Sequence, residues 1–175
     1  GAMSGRAEVL VLGSDGAPPT TLWVAHDGLL LPVCVLRALA RGRHWTVPDA
    51  LAGLVAAEIV LVRGLGGDSA RALTEDEPPF RLGAGRLRET DYASLWVDVP
   101  RQVVVVASWL GPGRGYGYGD PWTFAEYVAL GEGGVARAVV PRLVAPQVRS
   151  NPGRPVAAFL RGAARRPYAG SPNGG

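Results

Sequence analysis

The sequence predicts an α+β domain: a mixed, mainly antiparallel sheet with a few short helices on one face. Three observations lead there. Short apolar runs bounded by turn residues recur along the chain, in the manner of strands. Two Pro-led segments, at Pro48 and at Pro121, carry helix-start signals. Leu22-Trp23-Val24 and Leu95-Trp96-Val97 fall on one another at a spacing of 73, with ten identities between 20–57 and 93–130. That self-similarity suggests an internal duplication of a strand–strand–helix–strand unit.

Taken in order, Glu8 to Leu12 reads as a strand ending in the turn Gly13-Ser14-Asp15-Gly16. Thr21 to Ala25 is a second strand, and His26-Asp27-Gly28 a tight turn. The apolar run Leu29 to Leu36 is expected to be a strand, with Pro32 marking an edge or bulge. Pro48, Asp49, Leu51, Leu54 and Val55 predict a short helix, and Ile59 to Val62 another strand. Residues 64–88 are expected to form a long surface connection. Ser94 to Val99 and Gln102 to Leu110 are strands about a Pro100-Arg101 turn. Gly111 to Gly119 is a glycine-rich loop, Asp120-Pro121 caps a helix to about Leu130, and Gly131 ends it. Val135 to Val140 closes the pattern as a strand. The organisation expected is a cleavage scar at residues 1–3 and one domain over 4–140, with pseudo-repeats at 20–62 and 93–140. A basic segment over 141–168 follows, with a short helix from Pro155 to Arg165, and then a frayed tail over 169–175.

Composition narrows the chemistry. Of 175 residues, 47% are hydrophobic and 19% charged, enough for a core. The basic residues are 18 arginines without a lysine, which a GC-rich bacterial or viral genome would write. Lacking lysine, the chain has no P-loop lysine and no Schiff-base nucleophile. Two histidines and one cysteine at unsuitable spacings argue against a structural metal site, and no cofactor motif is present. The apolar runs are too short for a membrane span, and no signal peptide opens the chain, so a cytoplasmic location is expected (host cytoplasm or nucleus for a viral protein). All acidic residues lie at or before Glu132, and 133–175 holds seven arginines, so the net +3 divides into −4 and +7.

The candidate sites follow from these features. Arg114, Tyr116 and Tyr118 in the glycine-rich loop can stack on a peptide or a base. Arg149, Arg161, Arg165 and Arg166 form the basic end, suited to docking on an acidic partner or on the acidic body of the chain itself. These seven residues are the expected partner-binding set. The leading expectation is a non-enzymatic protein-interaction or regulatory domain, adaptor or chaperone-like, with a protein partner and a possible homodimer. Nucleic-acid binding through the same arginines and tyrosines is the first alternative. A hydrolase or transferase is the second, with 111–120 as a lid and Asp68-Ser69 or His26 in its site, although Ser69 lacks a nucleophile elbow. Cys34, inside an apolar run, reads as a core residue.

One stretch resembles a known family. Trp23 to Val33, Ala38-Leu39, Val47-Pro48, Ala50-Leu51-Ala52 and Glu58 to Val62 together resemble the SseB-type domain of actinobacteria. Cys34-Val35-Leu36 stands where Phe-Thr-Ser is usual, and the Ala-Leu pair comes one residue early. The resemblance implies a small α+β module without an established catalytic site, with secretion-related or chaperone-like binding roles.

Overall fold

A computed structural model describes residues 4–14, 17–63, 80–84, 90–109, 116–145 and 149–151. The strands are β1 (Ser4–Leu12), β2 (Thr20–His26), β3 (Phe80–Ala84), β4 (Ser94–Asp98), β5 (Val103–Trp109), β6 (Tyr116–Tyr118), β7 (Trp122–Thr123) and β8 (Arg149–Asn151). The helices are α1 (Leu31–Ala40), α2 (Pro48–Arg63), α3 (Phe124–Ala138) and α4 (Val140–Val144). The strands form one sheet in the order β3-β2-β1-β4-β5-β6-β8, with β7 paired to β5. The β1–β4 ladder is parallel and the others are antiparallel. The α+β class with a mixed, mainly antiparallel sheet is therefore what the chain adopts.

Strand alternation divides the sheet into two buried faces. Ala7, Val9 and Val11 of β1 join Leu22, Val24, Leu95, Val97, Val104 and Val106 in the main core, together with buried residues of all four helices. Leu10 and Leu12 point the other way and cluster with Trp96, Val103, Val105 and Ala107. Trp23 and Trp96 are 3% and 0% exposed. Trp23 stands opposite Glu8 and Trp96 opposite Leu10, which puts both on this second face.

Several expected elements are corrected. The run from Leu29 is not a strand: Asp27 takes a left-handed conformation (φ 57°), Gly28–Leu30 makes a 3-10 turn, and Leu31 starts α1. Pro32 sits in the first helical turn, where its missing N–H has no intrahelical acceptor to satisfy. Gly28 is required by close approach, since a Cβ there would collide with the Ala7 side chain and the Gly5 carbonyl. Ile59 to Val62 belongs to α2. Its buried residues Leu51, Val55 and Ile59 repeat every four positions, while Leu61 is 67% exposed, the pattern of one helical face. The 64–88 connection contains β3; residues 64–79 and 85–88 of it lie outside the described residues.

The second helical segment is capped by Thr123 rather than by Asp120-Pro121. Thr123 Oγ1 accepts the Glu126 N–H at 3.0 Å, and Glu126 Oε1 accepts the Thr123 N–H at 3.1 Å, a reciprocal capping box. Gly131 does interrupt the helix, with φ 66°, but the chain resumes helical geometry beyond it. The expected strand Val135 to Val140 is therefore helical, its apolar Val135 and Val139 buried on the main core. No duplicated unit emerges among the described elements: α1 occupies the stretch that a spacing of 73 lays on β5. The expected Pro155–Arg165 helix lies outside the described residues.

One buried hydrogen bond ties α3 to α1. The Tyr127 hydroxyl donates to the Pro32 carbonyl at 2.7 Å, and Tyr127 is fully buried. Burial pushes its phenol above the ordinary value, with the nearby Cys34 thiol adding to the effect. The neutral phenol is thus the folded form, and stability is present below about pH 10 and falls as pH rises further, because the unfolded chain releases a proton the folded one keeps. Tyr127→Phe is expected to cost about 1 kcal/mol at neutral pH, and to flatten the alkaline loss of stability. Urea denaturation between pH 7 and pH 11 checks both.

Candidate partner-binding edge of the sheet

The sheet ends on the side of β5 with two short strands. β6 pairs with β5 so that Ala107 faces Tyr118, Ser108 faces Gly117 and Trp109 faces Tyr116. β8 then pairs with β6, setting Arg149 opposite Tyr118 and Asn151 opposite Tyr116. Three of the seven expected partner residues, Tyr116, Tyr118 and Arg149, are thereby brought onto adjacent strands. Arg114, Arg161, Arg165 and Arg166 lie outside the described residues.

The local sequence explains this placement. Val103 to Ala107 are completely buried, and the chain turns outward only at Ser108 and Trp109. Gly117, buried between the two tyrosines, leaves room at the centre of β6. Trp109 is 45% exposed at the end of β5 and was not among the expected site residues. Its signal was present in the sequence: a tryptophan closing a continuous valine strand, just before a glycine-rich stretch. β8 was missed because Arg149-Ser150-Asn151 has no apolar residue to mark a strand. Among the described residues no strand pairs with the outer side of β8, nor with that of β3 at the opposite end.

Around β7 and the β4–β5 turn the chain is anchored by charge and aromatic contacts. The Arg142 guanidinium lies 4.4 Å from the centre of the Trp122 ring and donates to the Asp120 carbonyl at 3.3 Å. The Phe124 N–H donates to the Gln102 carbonyl at 2.8 Å, fixing the start of α3 against the β4–β5 turn. Asp98, fully buried, holds Arg101 through its side chain at 3.0 Å.

Elsewhere the polar groups hold the fold. Arg6 binds Asp91 through both oxygens, at 2.9 and 3.2 Å, and its own N–H donates at 2.9 Å. The Arg6 side chain, reinforced by that N–H, holds the Asp91 carboxyl below its usual range. Arg41 reaches the buried Glu58 at 2.7 Å, and Arg37 reaches Glu132 at 2.8 Å. Cys34 is buried in α1, as expected of a core residue. His26 and His44 are exposed, His26 at the end of β2 and His44 in the link between α1 and α2. Asp68 and Ser69 lie outside the described residues. A cavity of about 260 Å³ is lined by Gly5, Asp27, Gly28, Leu29, Leu30 and Tyr92. Its lining offers Asp27 and Tyr92 but no nucleophile with a base. Among the described residues no three His, Cys, Asp or Glu side chains converge as a metal site, and no helix is long and apolar enough to cross a membrane.

The chain matches no protein-family model, no curated protein and no solved structure. The geometry of the edge therefore carries the functional argument by itself.

The two exposed-end and buried tryptophans provide a check. Trp109→Ala is expected to leave stability within about 0.5 kcal/mol, because the side chain is half solvated. Trp96→Ala removes a fully buried ring and is expected to cost about 3–5 kcal/mol. Chemical denaturation of the two variants beside the parent distinguishes them.

Proposed function

We propose that this chain is a protein-interaction or regulatory domain, without catalytic activity of its own, that receives an extended segment of a protein partner along β8. The observation that carries the reading is the convergence of Trp109, Tyr116, Tyr118 and Arg149 on three neighbouring strands at one end of the sheet. An outer strand with no partner among the described residues offers backbone N–H and C=O groups to an incoming strand, and nearby aromatic positions supply contact area with little rotamer entropy to lose. A three-residue edge gives few ladder bonds, so binding would be modest in strength and would draw its selectivity from the tryptophan, the tyrosines and the arginine. An adaptor or chaperone-like role in the cytoplasm fits that behaviour, and the SseB-type resemblance points the same way.

The test is selection of peptides from a random 12-residue display library on the immobilised full chain. Binding of the selected peptides is then measured by fluorescence anisotropy. Expected are extended sequences alternating apolar and acidic residues, whose affinity falls about tenfold or more in Trp109→Ala and in Arg149→Glu. Peptides whose binding ignores both substitutions would reject the edge. Salt-sensitive binding of a 30-nucleotide single strand, lost in the same variants, would turn the reading to nucleic acid. Self-association abolished by Arg149→Glu would turn it to a homodimer.

A further inference from the structure

The cavity of about 260 Å³ lies at one end of the β1–β2 pair, and β4 and β5 separate β1 from the β6–β8 edge. It forms where β1 loses register with β2, between Ser4 and Ala7. A Cβ on Gly5 would stand 3.1 Å from the Asp27 nitrogen and 3.6 Å from Tyr92 Cε2, so glycine there leaves open the space between Asp27 and the Tyr92 ring. The walls are fixed. The Leu30 N–H donates to the Asp27 carbonyl at 3.0 Å, and Gly28 is pinned by its close crossing over Ala7. Tyr92 is held from both sides: the Asp91 N–H donates to the Arg6 carbonyl at 2.8 Å and the Ala93 N–H to the Leu143 carbonyl at 2.9 Å. The Thr90 hydroxyl donates to the Tyr92 carbonyl at 2.9 Å. A site held in this way is formed before any ligand arrives and loses little entropy on binding one.

We propose that this cavity is a binding site for a small organic ammonium ion, with its apolar body against Leu29, Leu30 and Tyr92 and its charged nitrogen beside Asp27. Charge decides the class of ligand. Asp27 is the one charged residue of the lining. Asp27 and Leu30 are exposed, Leu30 to 40%, so both stand where the cavity meets solvent. The neighbouring charges are taken up by each other, since Arg6 binds Asp91 through both oxygens. Asp27 makes no side-chain capping bond, and among the described residues it has no ion pair. A cation therefore gains a carboxylate here, whereas an anion meets one. The tyrosine ring favours the same sign of charge. Size and shape decide the rest. The volume is below that of sites for drug-sized molecules, and the lining is mostly apolar with one convergent charge, which suits an amine with a short aliphatic or aromatic body.

The experiment titrates the nitrogen-15-labelled full chain with 2-phenylethylammonium, 2-phenylethanol and 3-phenylpropanoate, three probes of similar shape and different charge, and follows amide shifts by nuclear magnetic resonance. Expected are saturable shifts at Gly5, Gly28 and Tyr92 at millimolar concentration, with affinity falling from the ammonium to the alcohol to the carboxylate. Asp27→Asn removes the charge and keeps a residue that tolerates the left-handed turn. It is expected to weaken the ammonium about fivefold, to the level of the alcohol, and to leave the alcohol unchanged. Leu30→Asn removes an exposed piece of the apolar wall and is expected to weaken ammonium and alcohol alike, by several-fold. Absence of saturable shifts, shifts centred elsewhere, equal affinity for the three probes, or ammonium binding indifferent to Asp27→Asn would each overturn the assignment. None of these residues belongs to β6 or β8, so amine binding here and peptide binding at the edge stand or fall separately.

Discussion

The parallel pairing of β1 with β4 is the contact on which the rest of the fold depends. β1 is an interior strand on which both layers meet: β2 lies against one side and β4 against the other, and each face of β1 supplies a buried layer. Because side chains alternate, this one ladder aligns Val9 and Val11 with Leu95 and Val97 under the helices, and Leu10 with Trp96 on the reverse. A slip of one residue in β1 would exchange the two sets and place Glu8 in the helical core. The buried Ser94–Glu8 hydrogen bond ties the same two strands and penalises that slip. The helices then follow. α1 is delivered by the left-handed Asp27 and the tight Gly28 crossing over Ala7, and α3 locks to it through Tyr127.

How much of this was legible in the sequence differs by element, for physical reasons. β1, β2, β4 and β5 were readable because each is a short apolar run between turn residues. The helices were harder. In Leu31 to Ala40 the only charged residue is Arg37, so the run shows neither a period of two nor a period of 3.6. Pro32 was compatible with a strand edge as well as a helical first turn, and burial on the core decided for the helix. α2 was half-read: its start was marked by Pro48, while the β-branched Ile59, Val60 and Val62 disguised its last turns. The capping box Thr123-Phe-Ala-Glu126 was a missed signal that lay in plain view.

The site was legible in composition and not in arrangement. Tyr116, Tyr118 and Arg149 stood out as aromatic and basic residues in polar surroundings. Their adjacency depends on pairing between strands about thirty positions apart, and no local pattern encodes that. The apparent repeat at a spacing of 73 shows the opposite error. It matched residues truly, yet one copy became α1 and the other β5, because Pro32 and the 3-10 turn set the first apart while the valine run and β4 drew the second into the sheet.

The parallel β1–β4 ladder has a temporal consequence as well. Glu8 and Ser94 are separated by 86 positions, so a ribosome has finished β1, β2, α1 and α2 well before the strand that completes the centre of the sheet exists. Until β4 arrives, β1 carries one open side and an uncovered layer of Leu10 and Leu12, the condition in which nascent chains pair wrongly with one another. Selection on synthesis speed and on early helper proteins would therefore act on the interval between α2 and β4.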